Sequence, residues 1–267
     1  MILASAPFVN LIVSVLAAVA YACPALSVLH LGEHTARRLV ILAWFLHGIA
    51  LSLGLWGEAA RFGFAPALSV TAWLIAAVYA VESQFVPQLP TRWSLAGLGA
   101  GAVLLAWVFP GNPIHTSASA WLPLHLAFGV ACYGLFGTAV VHAWFMVRAE
   151  KRIRHAKDPH SGVPLLTLER LTYRFVGAGF VLLSATLLAG FFFSEYLYAP
   201  GRVWRWEHKT VFSLLSWVTF AWLLIGRQVF GWRGKRAVNM LYAGSVLLLL
   251  AYVGSRFVLE IILGRAS

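Results

Sequence analysis

This sequence is short of charge. Only 11% of its 267 residues are Asp, Glu, Lys or Arg, and just nine of those are acidic. Soluble domains carry about 25% charged residues, so there is too little charge here to coat a water-facing surface. Cysteine is also scarce. Cys23 and Cys132 both fall inside apolar segments, with no CxxC and no pair in a loop. A disulfide framework and a thiol-redox motif are excluded, and the two thiols read as small buried hydrophobes. There is no HExxH and no His-x-His, which leaves hydrolytic or zinc chemistry without a motif. No fixed-period repeat is visible.

What the chain has in abundance is apolar sequence, 61% of its residues. The excess recurs in blocks of about 20 residues, the length needed to cross a hydrocarbon core of roughly 30 Å. Spans are expected near 7–27, 38–56, 64–83, 93–110, 121–147, 174–196, 210–229 and 237–259. Breakers such as Gly57, Pro87 with Pro90, the Pro110–Pro113 turn, Pro164 and Pro200–Gly201 separate many of them. The pattern predicts an all-α polytopic membrane protein, a bundle of about eight transmembrane helices forming one integral-membrane domain over residues 1–267. The first block lacks a basic leading region, so it reads as a retained span and not a cleaved signal.

The charge that is present is lopsided: 20 Lys and Arg against nine acids, a formal net of +11. In a soluble chain this would suggest nucleic acid; in a membrane chain it orients the bundle. Fourteen of the twenty basic residues fall on one set of alternate loops: Arg37, Arg38, Arg92, Arg148, Lys151, Arg152, Arg154, Lys157, Arg170, Arg174, Arg227, Arg233, Lys235 and Arg236. The other six, Arg61, Arg202, Arg205, Lys209, Arg256 and Arg265, fall on the opposite side. The asymmetry puts both termini outside and a basic loop, 148–173, in the cytoplasm. Such a loop beside anionic lipid is ordinary topology.

Ionisable residues at membrane depth are the first functional candidates. His47 sits mid-span, either bonding a neighbouring helix or serving a ligand. His125 lies about one turn inside the outer end of span five, with Gly129 and Tyr133 following on the same helical face. A gap at Gly129 would admit a flat ligand and Tyr133 would supply a polar tip; a helix-packing stripe of histidine, small residue and aromatic is the competing reading. His142, 17 residues further on, is too far along the helix to share a metal ion with His125. His115, in the outer loop 111–120, is placed to fold back over His125. The external loop 197–209 is the most unusual stretch. Trp204 and Trp206 bracket Arg205, and Glu207-His208-Lys209 follow. Trp at an interface is normally an anchor, but this mixture is denser than anchoring needs. Aromatic faces there would sandwich a planar apolar ligand while Arg202, Arg205 and Lys209 meet carboxylates at its edge. A porphyrin has that shape, two propionates and an iron that takes histidine axially.

With these residues in view, the chain resembles the cytochrome c assembly (CcsA/CcmC/CcmF) haem-handling proteins, and within them the eight-span bacterial inner-membrane subgroup called YpjD-like. The likeness covers roughly residues 40–260. Trp204 through Lys209, followed by Leu-Leu-Ser-Trp217, looks like a variant of the family's external WWD loop, with Glu207 at the Asp position and His208 where Pro is usual. Trp121-Leu-Pro-Leu-His125 with Tyr133 looks like the helix bearing the first external haem-ligating histidine. Phe45-Leu-His47 resembles the early span holding a membrane-embedded histidine. The resemblance implies a multi-pass protein of the bacterial inner membrane that binds haem b in c-type cytochrome biogenesis. Its iron would sit on His125, with His47 or His208 as further ligands. Its partners would be haem, the bilayer, and other maturation subunits or an apocytochrome. Without a redox cysteine pair or a large external domain, attachment to an apocytochrome would need other subunits, so the single chain is not expected to be an enzyme. One departure stands out. The family's second external histidine is absent, and Arg256 occupies its place. Arginine stays protonated and does not ligate iron, which leaves His208, His115, an open sixth position, or Arg256 serving a propionate. A second function class on the same fold is transport of an ion or small anion, with His47, His142 and Glu82 as pathway groups and Arg256 as an anion contact.

Overall fold

The computed structural model describes residues 6–26, 32–55, 61–85, 93–113, 121–154, 165–192 and 207–264. Among these residues the long helices are α1 (Ala6–Leu26), α2 (Glu33–Leu55), α3 (Phe64–Phe85), α4 (Trp93–Val108), α5 (Trp121–Arg154), α6 (Leu165–Phe192), α7 (His208–Phe230) and α8 (Gly234–Leu249). The last helix runs on through a π turn (Leu250–Gly254), one α turn (Ser255–Phe257) and a second π turn (Val258–Ile262). Seven of these helical segments are long and apolar enough to cross a membrane, and α4 supplies a shorter apolar stretch, Leu95–Val108. The protein is therefore an all-α polytopic membrane protein, with a helix at every span the hydropathy pattern predicts.

The boundaries differ most at the basic loop expected over 148–173. There α5 continues to Arg154 and α6 begins at Leu165. Arg148-Ala-Glu-Lys-Arg-Ile-Arg154 is built of strong helix formers, and nothing in it stops a helix once it has left lipid. Hydropathy marks where a helix ceases to be apolar, not where it ends. Trp217, which follows the Trp-rich segment, lies inside α7, as the expected span 210–229 has it.

The chain divides into two compact units. One comprises Met1–Phe85, Pro90–His115 and Arg256–Ser267, and the other Val86–Leu89 and Thr116–Ser255. In the first, α1 packs on α2 and α4, and α3 packs on α4 and α2. Many of its buried residues are small, Ala17, Ala18, Ala20, Ala43, Ala50 and Ala96, packed around the larger Tyr21 and Val103. Lipid tails are as apolar as leucine, so close backbone approach, not apolar burial, holds such helices together. Trp44 and Trp73 tie α2 to α3. Their rings stack at 4.7 Å, and each indole N–H donates to the other residue's backbone carbonyl, at 3.1 and 3.0 Å. Trp73→Phe keeps a stacked ring but removes one donor. It is expected to cost about 1 kcal/mol, read as a lower thermal midpoint by circular dichroism in detergent. A two-residue antiparallel bridge pairs Arg61 with Pro113 and Phe62 with Asn112. Gly111 allows it, at φ 80°, where a Cβ would lie 2.6 Å from the Phe62 carbonyl.

In the second unit α5 packs on α6, and α7 and α8 pack on each other and on that pair. The Phe136 and Phe220 rings stack at 3.8 Å at its centre, among Leu183, Val176, Leu223 and Leu241. Side-chain hydroxyls and indoles strap the helices together. Ser216 donates to the Gly244 carbonyl at 2.9 Å, Trp217 Nε1 donates to Ser184 Oγ at 2.8 Å, and the Tyr133 hydroxyl donates to the Leu248 carbonyl. Cys132 is buried, as expected, whereas Cys23 is exposed on α1: an apolar segment says a residue faces lipid or core, but not which.

Candidate functional site

The sequence singles out His125, and the structure gives it defined surroundings, all within the second unit. It lies one turn into α5 and is partly buried. The side of its ring at Cε1 faces Gly190 on α6, where an added Cβ would come within 3.6 Å. The backbone of Thr186, also on α6, acts on the imidazole. Its Nδ1 is buried and has no hydrogen-bond partner among the described residues. His125 thus keeps a buried ring nitrogen uncommitted to any protein group among the described residues.

A positive charge stands nearby. Lys209, in the first turn of α7, acts electrostatically on His125, and its Nζ pairs with Glu207 Oε2 at 3.0 Å. Glu207 also begins the helix: its carbonyl accepts from the N–H groups of Thr210 and Val211, at 2.9 and 3.1 Å. His208, beside it, is exposed. The end of the Trp-rich segment is thereby anchored near the His125 end of α5. Arg202, Trp204, Arg205, Trp206 and His115 lie outside the described residues.

Other predicted site residues are placed elsewhere. The Tyr133 hydroxyl is committed to the Leu248 carbonyl, so it straps α5 to α8 in place of presenting a free polar tip. Gly129 faces α6, where an added Cβ would be in ordinary contact with Thr186 Cγ2 at 3.9 Å. The glycine that borders His125 is Gly190, on a different helix. His47 belongs to the first unit and is fully buried. Its Nε2 lies 2.8 Å from Ser69 Oγ, and its ring meets Tyr21 edge-to-face at 5.9 Å. Arg256 also belongs to the first unit, in the α turn between the two π turns. It acts electrostatically on Glu260. His142 is buried in the second unit, edge-to-face with Phe175.

Among the described residues no three His, Cys, Asp or Glu side chains converge on one point. A metal on His125 would have to bring most of its other ligands with it, as a porphyrin does. Sequence reasoning missed Thr186 and an ion-paired group on the second unit, in which Arg227 and Arg233 approach Glu169 at 2.5 and 3.6 Å. A lone acid in a basic stretch is its only sequence signal.

Residues 31–263 match the family described as cytochrome C assembly protein. The chain belongs to that family. Individual members of the cytochrome c assembly family align over shorter lengths. The inner membrane protein YpjD of Escherichia coli (strain K12) is 30% identical over 161 residues, 59% of this chain and 60% of that protein. A 28.8 kDa protein from the nifR3-like 5′ region of Azospirillum brasilense is 33% identical over 147 residues, 54% of each chain. The cytochrome c biogenesis protein CcsA of Gloeobacter violaceus is 34% identical over 94 residues, 35% of this chain and 27% of that one. The matched region thus spans about 60% of YpjD and about a quarter of CcsA. No solved structure gives a significant match.

Proposed function

We propose that this chain is a haem-handling protein of c-type cytochrome biogenesis, multi-pass in the bacterial inner membrane with both termini outside. It holds haem b at the outer face with His125 as the axial ligand. The observation that carries the reading is the His125 ring, whose buried Nδ1 has no hydrogen-bond partner among the described residues and which lies against Gly190 of α6. The donor set fits haem, since one imidazole is what the porphyrin's four nitrogens leave to be supplied. Membership of the cytochrome c assembly family supports it, as do relatives named for cytochrome c biogenesis and for the inner membrane.

Each residue has a separable task. Thr186 stands beside the imidazole and would help to hold it for the iron. Gly190 leaves the ring edge without a side chain. Trp204 and Trp206 supply aromatic faces, while Lys209, Arg202 and Arg205 supply the positive edge that propionates require. Glu207 holds the Lys209 ammonium in register at the start of α7. His47, His115 and His208 are secondary ligand candidates, and Arg256 is a candidate propionate contact in place of the missing histidine. When bound, the haem supplies the redox-active iron and the vinyl groups that become attached to an apocytochrome; this chain supplies binding and orientation. Other maturation subunits or an apocytochrome are the partners.

In a strain lacking this chain, covalently bound c-type haem, read by haem-stained gels, is expected to fall. Wild-type protein restores it and His125→Ala does not. Normal c-type cytochromes in the deletion strain, with altered metal or anion tolerance, would support the transport reading in its place.

A further inference from the structure

At the other end of the second unit, the start of α6 meets the end of α7. Leu166, Arg170 and Arg174 recur at helical spacing along α6, and Glu169 and Tyr173 form the adjacent stripe. Glu169 is buried, and Arg227 from α7 reaches it through Nη1 at 2.5 Å. The same Nη1 lies 3.5 Å from the Trp232 carbonyl, and the guanidinium sits 4.8 Å from the centre of the Tyr173 ring. The Tyr173 hydroxyl closes the frame by donating to that same carbonyl at 3.0 Å. Arg227 is thus held in place from three sides before any ligand arrives. Its Nε and Nη2 take no part in these polar contacts.

These residues wall a cavity of about 490 Å³, lined by Leu166, Glu169, Arg170, Tyr173, Arg174 and Arg227. Three arginines stand against one glutamate, and that glutamate is already engaged by Arg227 and approached by Arg233. Arg170 and Arg174 are exposed and have no acidic partner among the described residues. Guanidinium forks match the oxygens of phosphate. The volume falls within the range of small-molecule sites, roughly 300–1,000 Å³, and exceeds what inorganic phosphate alone needs. Leu166, 70% exposed, gives the rim an apolar edge. The cavity lies where α6 begins and α7 ends, on the side with the excess of basic residues, and basic pockets between transmembrane helices at that boundary suit anionic headgroups.

We infer that the Arg170–Arg174–Arg227 cavity is a binding site for a phosphate-bearing anion, held against the pre-set Arg227. It stands independently of haem binding. Two sources share this chemistry, the headgroup of an anionic phospholipid and a soluble phosphate compound, and one experiment separates them. The full chain is placed in nanodiscs of phosphatidylcholine with phosphatidylglycerol as the minor lipid, and the lipid retained on release is read by native mass spectrometry. In parallel, phosphatidylcholine-only nanodiscs are titrated with inorganic pyrophosphate, and protection of Arg170 and Arg174 from phenylglyoxal is mapped on peptides. A headgroup site predicts that the double variant Arg170→Gln/Arg174→Gln retains about tenfold less phosphatidylglycerol. A soluble-ligand site predicts protection by pyrophosphate in the wild type. The control Arg148→Gln removes a guanidinium that lies 3.7 Å over the Trp144 ring on α5 and is expected to change neither reading. Both pocket arginines are exposed, so the double variant should keep the wild-type thermal midpoint; Arg170→Lys/Arg174→Lys, with charge retained, should bind at an intermediate level. Phosphatidylglycerol retention unchanged in the double glutamine variant, together with no protection by pyrophosphate, overturns the proposal.

Discussion

Gly244→Val is expected to lower the stability of the second unit by about 3 kcal/mol or more, at the upper end of what overpacking costs. A Cβ at Gly244 would lie 2.7, 2.9 and 3.0 Å from atoms of the Phe220 ring. Phe220 has no room to yield. It is fully buried and stacks on Phe136 at 3.8 Å, with the planes only 7° apart. Phe136 is itself approached by Gly179, where an added Cβ would stand 3.1 Å from the ring. The two aromatics and two glycines therefore connect α5, α6, α7 and α8 through one packed contact, and interiors at this density cannot absorb an extra group by a small shift. The Gly244 carbonyl also accepts from Ser216, so moving α8 to relieve the clash would strain a buried hydrogen bond. Gly177→Ala is the matched control. It lies in the same unit on α6, a Cβ there meets nothing within 4 Å, and the change should be neutral or gain up to about 1 kcal/mol from helix propensity. Thermal unfolding in detergent, followed by circular dichroism, reads both.

The second large effect is on ligand content. His125→Ala is expected to lower the haem that copurifies with the chain by about tenfold or more, since an axial imidazole is the main protein bond to iron. Removing this side chain leaves the α5–α6 contact at Gly129 and Thr186 untouched, so the thermal midpoint should hold. Tyr133→Phe separates ligand loss from general damage. Its hydroxyl is spent on the Leu248 carbonyl, so the variant should lose about 1 kcal/mol of stability and keep its haem.

Most of the architecture was legible in the sequence because a bilayer imposes a length and a polarity on every span. The α5 and α6 extensions around 148–173 were not, since charged helix formers look the same to a hydropathy scale whether helical or looped. Of the proposed site, the sequence alone points to His125, a histidine one turn inside a span, and to Lys209. Its supporting contacts were hidden, because they come from α6. Gly129 was the visible glycine on the His125 face, yet Gly190 borders the ring. The Glu169–Arg227 pair was hidden for the same reason: each member looked like ordinary interfacial charge, and only the packing of α6 on α7 brings them together.

Haem content of the full-length chain is the most direct test. Protein purified in mild detergent from haem-replete cells, assayed as the pyridine haemochrome, should carry about one b-type haem per chain with a Soret band. A chain that purifies without haem and gives no Soret band when haem is added would contradict the account.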